Sequence, residues 1–155
     1  MGRVPNCEVT IIGAGPYGLS AAAYLRAARV EIRVFGEPMS FWENQMPAGM
    51  CLRSNWLASH IAAPSQMLTL DEYCRENGNH VPRPIPLERF VDYGHWYQKR
   101  AVPNLEKCQV RSVGIDQCGF KITLENGEEF TSRRVIVAAG ISNFATKPPE
   151  FDETC

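Results

Sequence analysis

The pattern of apolar and polar positions divides the chain into an ordered start, a long irregular middle and a strand-rich end. The β-branched run at residues 9–12 is typical of a strand buried on both faces. An alanine-rich segment at residues 19–28 has high helix propensity. A second strand-like run follows at residues 31–35. Strand, turn, helix and strand within about thirty residues predict a βαβ unit.

The middle segment, residues 36–103, contains all three tryptophans and most of the prolines, and it predicts an insertion of loops and short helices. Thr69 and Glu72 form a capping box and Gly78 is a stop signal, so we expect a helix over residues 70–77. Alternating prolines at residues 81–86 predict an extended connector. A longer helix over residues 87–100 is predicted by apolar residues on one face: Leu87, Phe90, Val91 and Tyr97.

The end of the chain predicts strands. Short alternating runs separated by turn residues, including Asn126-Gly127, predict a three-stranded antiparallel meander over about residues 109–132. The apolar run at residues 135–140 predicts a separate strand of a parallel sheet, with no further element after Ile141. We therefore expect an α/β fold in a single domain over residues 1–155: a parallel sheet, a helical and loop insertion, and the meander.

Three glycines connect the first strand to the first helix at the spacing Gly13-x-Gly15-x-x-Gly18. In a dinucleotide-binding unit the first glycine permits a tight turn, the second admits a pyrophosphate, and the third lets the helix pack against the sheet. Pro16 suits the first helical position, and the free N–H groups of the helix start favour an anion. The motif also occurs in ordinary loops, but the flanking strands and helix favour dinucleotide binding.

The acid that commonly binds the ribose is displaced in this sequence. The position expected at the end of the second strand holds Gly36, and the carboxylate follows at Glu37. Either Glu37 reaches the ribose from a shifted turn, or backbone groups replace it and Glu37 is an ordinary surface residue.

Composition excludes several classes of function. The net charge of −1, from 16 basic and 17 acidic residues, gives no electrostatic basis for binding nucleic acid or an anionic membrane. No apolar run is long enough to span a bilayer, and no secretory leader is recognised. The six cysteines are scattered without a C-x-x-C pair or metal-ligand spacing, so we expect no metal and a reducing, cytoplasmic location.

Candidate chemistry among the side chains is sparse. Cys51 is the one thiol in a predicted cofactor-facing loop, and no resolving cysteine is near it in sequence. His60, His80 and His95 are isolated, and we expect surface or satisfied side chains rather than bases. No nucleophile–base set is evident.

Taken in order, the G-A-G-P-Y-G-L motif, the aromatic-rich insertion, the meander and the V-I-V-A-A-G strand resemble one family. The resemblance is to the Rossmann-like, N-terminal FAD-binding part of class B flavoprotein monooxygenases, which include flavin-containing, Baeyer–Villiger and N-hydroxylating enzymes. It implies that the glycine turn, with Pro16 and Tyr17, binds the FAD pyrophosphate. It also implies that Gly140 lies beside that pyrophosphate, after Ala139 in place of the family's threonine, and that the backbone at Val110 meets the adenine.

The insertion resembles the family less closely. Phe41-Trp42 followed by residues 46–49 is similar to a Gly-Gly-x-Trp then Tyr-Pro-Gly arrangement that covers the flavin, although the glycine pair is missing here. An apolar wall for a planar ring is one interpretation of Trp42, Met46, Met50 and Leu52, and the core of the insertion is the other. Arg53 has the charge to face a phosphate or reduced flavin, or it is a surface residue.

The resemblance implies an NADPH-dependent reaction in which flavin takes hydride from NADPH and the reduced flavin activates O₂. Residues 1–155 contain no second glycine fingerprint, so we expect the NADPH-binding domain to be absent from them. Hydride would then come from free nicotinamide, from a partner chain that supplies the missing half, or not at all. We expect a partner chain or a homodimer to cover an exposed face. The alternatives are a non-catalytic FAD- or ADP-binding module and, less consistent with the meander, a single-domain NAD(P)-binding protein.

Overall fold

The structure, a computed structural model, describes residues 6–78, 80–141 and 146. In chain order its elements are β1 (Cys7–Ile12), α1 (Pro16–Ala27), β2 (Ile32–Phe35), α2 (Ser40–Asn44), β3 (Cys51–Leu52), α3 (Leu70–Asn77), β4 (Ile85–Pro86), α4 (Leu87–Ala101), β5 (Val110–Asp116), β6 (Gly119–Leu124) and β7 (Glu129–Val137). Short 3₁₀ turns occur at Leu57–Ser59 and Gln66–Leu68. The predicted absence of elements in the tail falls mostly on residues 142–155, which lie outside the described residues except for residue 146.

A five-stranded sheet in the order β2-β1-β7-β6-β5 forms the centre of the fold. β1 pairs in parallel with β2 and β7, whereas β5, β6 and β7 form an antiparallel meander. The α/β class, the parallel unit and the meander are therefore confirmed.

The structure corrects one detail of the predicted sheet. The third meander strand and the final parallel strand are a single strand, β7, because residues 131–134 contain no glycine or proline to end it. Ser132 marks the change of partner, since it is in register both with Phe120 of β6 and with Cys7 of β1.

Two buried clusters hold the elements together. The larger one joins β1 and β2 to α1, α4 and the insertion through residues such as Ile11, Leu19, Tyr93 and Tyr97. The smaller one lies between the first two strands and the meander: Cys7, Phe35, Ile122, Leu124 and Phe130. The sheet thus packs against the helices through one hydrophobic core and forms a second core with the meander.

The helices of the insertion form largely as predicted. α3 begins after Thr69, whose side chain accepts a hydrogen bond from the Glu72 N–H, and ends at Gly78 in the left-handed conformation. α4 covers the predicted amphipathic segment and also buries Tyr93 and Trp96. α2 and the β3–β4 pair were not predicted, because elements this short carry too few residues to show a period.

An arginine joins the meander to the parallel strands. Arg33 of β2 donates two hydrogen bonds to Glu106, at 2.6 and 2.8 Å, and a third to Glu128 of the β6–β7 turn at 2.8 Å. Its guanidinium lies over the rings of Phe35 and Phe130. The hydrogen bonds to Glu106 and Glu128 raise the pKa of Arg33 and fix the hairpin beside the end of β2. None of the helices in the described part of the chain has the length and apolar character to cross a bilayer.

Candidate functional site

A cleft of about 1120 Å³ opens at the carboxyl ends of the three parallel strands. Its lining includes residues 12–15 after β1, residues 36–37 after β2, and residues 136–140 at the end of β7. In open α/β sheets, ligands bind in the crevice at this edge. The described residues therefore place a large cleft where the fold class predicts a ligand.

The glycine turn is packed on the protein side and open on the cleft side. Gly13 has a φ of 111°, and a Cβ there would lie 2.1 Å from the Ala138 carbonyl oxygen. A Cβ on Gly18 would lie 1.9 Å from the Gly13 carbonyl oxygen. A Cβ on Gly15 would meet nothing within 4 Å, and its φ of −76° suits any residue. Gly13 and Gly18 are thus required by packing, whereas Gly15 leaves space in the cleft.

The start of α1 faces the same space. Pro16 occupies the first turn, no side chain caps the helix, and no acidic residue lies in its first turn. The first N–H groups of a helix lack partners within the helix and carry the positive end of its dipole. The helix start therefore presents the positive end of its dipole to the cleft, beside a turn that carries no side chain at Gly15.

The meander side of the cleft is polar. Gly36 donates to the Glu106 carbonyl, Lys107 lies 3.2 Å from the Glu37 carboxylate, and the Glu125 N–H bonds to the Gln109 carbonyl. These contacts gather Glu37, Gln109, Val110 and Glu125 into one part of the lining. Gln109 and Glu125 were not predicted; the available signal was that both flank meander strands at the same edge of the sheet.

The helix side of the cleft is mostly apolar. Trp42 of α2 packs edge-on against Phe90 of α4, with ring centroids 4.8 Å apart, and both line the cleft together with Leu52. Residues 58–62 complete this wall. Trp42 packs against the larger core and also lines the cleft.

Most of the predicted site residues come together in this cleft. Ten of the twelve line it: Gly13, Gly15, Pro16, Tyr17, Glu37, Trp42, Leu52, Val110, Ala139 and Gly140. Gly18 lies behind the lining, against Gly13. Arg53 is exposed and outside the lining, as is Cys51, so neither faces the cleft as proposed. Met46 and Met50 pack against the larger core instead.

His60 differs from its predicted surface or satisfied state. Its side chain lines the cleft and is 15% exposed, and its buried Nε2 has no hydrogen-bond partner. The nearest charge is the Asp71 carboxylate, 3.8 Å from Nε2. Burial lowers the pKa of His60 below 6.5, and Asp71 opposes that shift only in part. We therefore expect a neutral imidazole at pH 7.

This pKa shift gives a prediction for stability. The unfolded chain, with an ordinary histidine, binds more protons than the folded chain as the pH falls below about 6.5. His60 therefore destabilises the fold progressively under acid, and His60→Gln removes that effect. We expect the melting temperature of the wild type relative to His60→Gln to fall between about pH 7.5 and pH 5.5. If the melting temperature of the wild type stays level or rises relative to that of His60→Gln as the pH falls, this protonation state is contradicted.

The sheet order and the cleft at its carboxyl edge together define a Rossmann-like α/β fold. The family model described as pyridine nucleotide-disulphide oxidoreductase matches residues 7–155. The chain belongs to this family, and the resemblance drawn from the sequence is confirmed at the level of family and fold.

Solved structures show the same fold at low identity. A flavin-containing monooxygenase from Stenotrophomonas maltophilia is 23% identical, with a TM-score of 0.73 over 91% of this chain and 40% of that one. An ornithine N-hydroxylase from Kutzneria sp. 744 is 18% identical, with a TM-score of 0.72 over 88% and 38%. A bacillithiol disulfide reductase from Staphylococcus aureus is 19% identical, with a TM-score of 0.67 over 86% and 38%. No curated protein sequence matches the chain.

Proposed function

We propose that this chain binds FAD in the cleft and forms the FAD-binding portion of an NAD(P)H-dependent flavoprotein oxidoreductase. One observation carries the proposal. The glycine turn is closed at Gly13 and Gly18 by packing, but open at Gly15, beside the uncapped start of α1. An extended diphosphate is the ligand that such a surface favours.

The two sides of the cleft suit the two halves of the cofactor. Glu37, Gln109 and Glu125 offer hydrogen-bonding groups for a ribose and an adenine, with the Val110 backbone beside them. Trp42, Leu52, Ile61 and Phe90 offer apolar surface for a flavin ring. The cleft, at about 1120 Å³, also has room for an extended dinucleotide.

The residues of this chain bind and orient the cofactor, which itself supplies the redox chemistry. The uncapped N–H groups of α1 would hold the pyrophosphate, the apolar wall would exclude water from the ring, and neutral His60 would add no charge there. We propose a monooxygenase-like reaction, with NADPH as hydride donor and O₂ as oxidant. The likeness to flavin-containing monooxygenase and ornithine N-hydroxylase supports this choice.

The chain spans about 40% of the length of the monooxygenase and about 38% of the N-hydroxylase. We propose that the NADPH site comes from further sequence, a partner chain or a second copy. We also propose a cytoplasmic location, since the free thiols in the described part of the chain suit a reducing compartment.

The test of FAD binding is the absorption spectrum of the purified protein, followed by titration of the colourless fraction. We expect a flavin spectrum, and stabilisation by about 3 kcal/mol when free FAD exceeds its dissociation constant about 100-fold. NADPH should stabilise the chain much less. A sample with no chromophore and no FAD uptake contradicts the proposal. NADPH consumption in air, with and without partner proteins, then separates a catalytic chain from a binding module.

A further inference from the structure

Three tyrosine hydroxyl groups bind the backbone of the segment that forms the helix-side wall of the cleft. We propose that Tyr24, Tyr93 and Tyr97 are positioning residues that hold residues 59–63 against the flavin half of the cofactor. The inference rests on the proposed FAD function, and it adds that this wall is built before the cofactor arrives.

Each tyrosine reaches the segment from a helix. Tyr93 of α4 accepts a hydrogen bond from the Ile61 N–H at 3.1 Å and donates one to the Leu68 carbonyl at 2.6 Å. Tyr97, one turn further along α4, donates to the Ala62 carbonyl at 2.8 Å. Tyr24 of α1 donates to the Ala63 carbonyl at 3.2 Å. Three consecutive residues are thus fixed from two helices that pack on each other, and two of them, Ile61 and Ala62, line the cleft.

The segment has little regular structure of its own. Residues 60–63 follow a 3₁₀ turn, Leu57–Ser59, and belong to no helix or strand. Yet residues 58–62 line the cleft, and Ile61 is buried. A loop without its own backbone ladder needs outside partners to keep one conformation. The tyrosines supply those partners.

Burial makes these hydrogen bonds difficult to replace. Tyr93 and Tyr97 are fully buried, and burial raises the pKa of both well above its usual value, so both stay protonated. Removing the Tyr93 hydroxyl would leave the Ile61 N–H and the Leu68 carbonyl without that partner in a place that water does not reach. The wall would then populate displaced conformations, and FAD affinity would fall in proportion to the competent fraction.

The two halves of FAD separate this role from general stabilisation. In our proposal the ADP half would lie against the glycine turn and the meander side, whose lining residues are not those of the tyrosine-held segment. FAD affinity should therefore depend on the tyrosines, whereas ADP affinity should not. We expect Tyr93→Phe to weaken FAD about fivefold and Tyr93→Phe/Tyr97→Phe about 20-fold, with ADP unchanged within about twofold. Tyr24→Phe, at a half-exposed site, should weaken FAD least.

The matched control is Val91→Ala. Val91 is buried in α4 and outside the cleft lining, so its truncation destabilises the same helix without removing a loop hydrogen bond. FAD and ADP affinities are measured by titration for each variant, with the visible circular dichroism of bound FAD as a probe of the ring's surroundings. The tyrosine variants should alter that spectrum, and Val91→Ala should not.

The outcomes divide clearly. Equal losses of FAD and ADP affinity, a loss matched by Val91→Ala, or unchanged FAD affinity and spectrum overturn the positioning role while leaving FAD binding intact. A wild-type chain that binds neither FAD nor ADP overturns the proposed function and this inference with it. Selective loss of FAD affinity in the tyrosine variants supports both.

Discussion

Gly15→Val should abolish tight FAD binding while leaving the fold intact. A side chain at Gly15 meets no protein atom within 4 Å and its backbone is extended, so folding tolerates it. The same side chain would occupy the space in which we place the pyrophosphate. We expect FAD affinity to fall about 100-fold or more. The free energy of unfolding of the ligand-free chain should fall by no more than about 1 kcal/mol, because Gly15 is the N-cap of α1 and valine caps a helix less well than glycine.

Gly114→Val is the matched control, because Gly114 lies in β5, also has open space around it, and does not line the cleft. Its FAD affinity should equal that of the wild type. Titration of both variants, alongside thermal melts without ligand, gives the comparison. If Gly15→Val retains full FAD affinity, the phosphates do not lie where we place them.

Gly18→Ala should have the opposite signature, a large loss of stability. The new Cβ would lie 1.9 Å from the carbonyl oxygen of Gly13 and 2.9 Å from its carbonyl carbon, both backbone atoms that cannot rotate away. α1 must then move off the turn, and we expect a cost of about 3 kcal/mol or more. For a chain of this length, that corresponds to a fall in melting temperature of about 10 °C.

Gly15→Ala serves as the control for this substitution, since it adds the same methyl group to the same turn without a clash. Without ligand, the melting temperature of Gly18→Ala should lie below that of Gly15→Ala by nearly the full fall expected for Gly18→Ala. A Gly18→Ala chain that melts with the wild type would show that the helix does not pack on Gly13 as closely as the structure has it.

The sequence predicted the parts of the fold in which local signals agree. The glycine turn, the β-branched first strand, the capping box at Thr69 and the Asn126-Gly127 hairpin each combine a residue type with a position. Their agreement with the global fold is what gives a funnelled landscape. The continuous β7 was missed because two runs with different patterns, one alternating and one wholly apolar, lie in a single strand.

The candidate site was predictable where backbone geometry decides it, and less so where side chains meet from distant segments. Gly13, Gly15 and Gly140 follow from the turn and the strand ends. The prediction for Arg53 rests on charge alone, and charge does not fix the direction of a side chain on a loop. His60 is isolated in the sequence, and nothing near it shows that α4 and α1 bring its loop to the cleft.

The shared strand β7 has a consequence for how this chain tolerates change in length. Extra residues at the Asn126-Gly127 tip lengthen only a solvent-facing loop. One extra residue between Phe130 and Arg134 would reverse the inward and outward alternation of everything that follows, and the end of the strand would present different groups to the cleft. The length of the meander along β7 is thus as constrained as the glycine turn itself, because both determine which groups face the cleft.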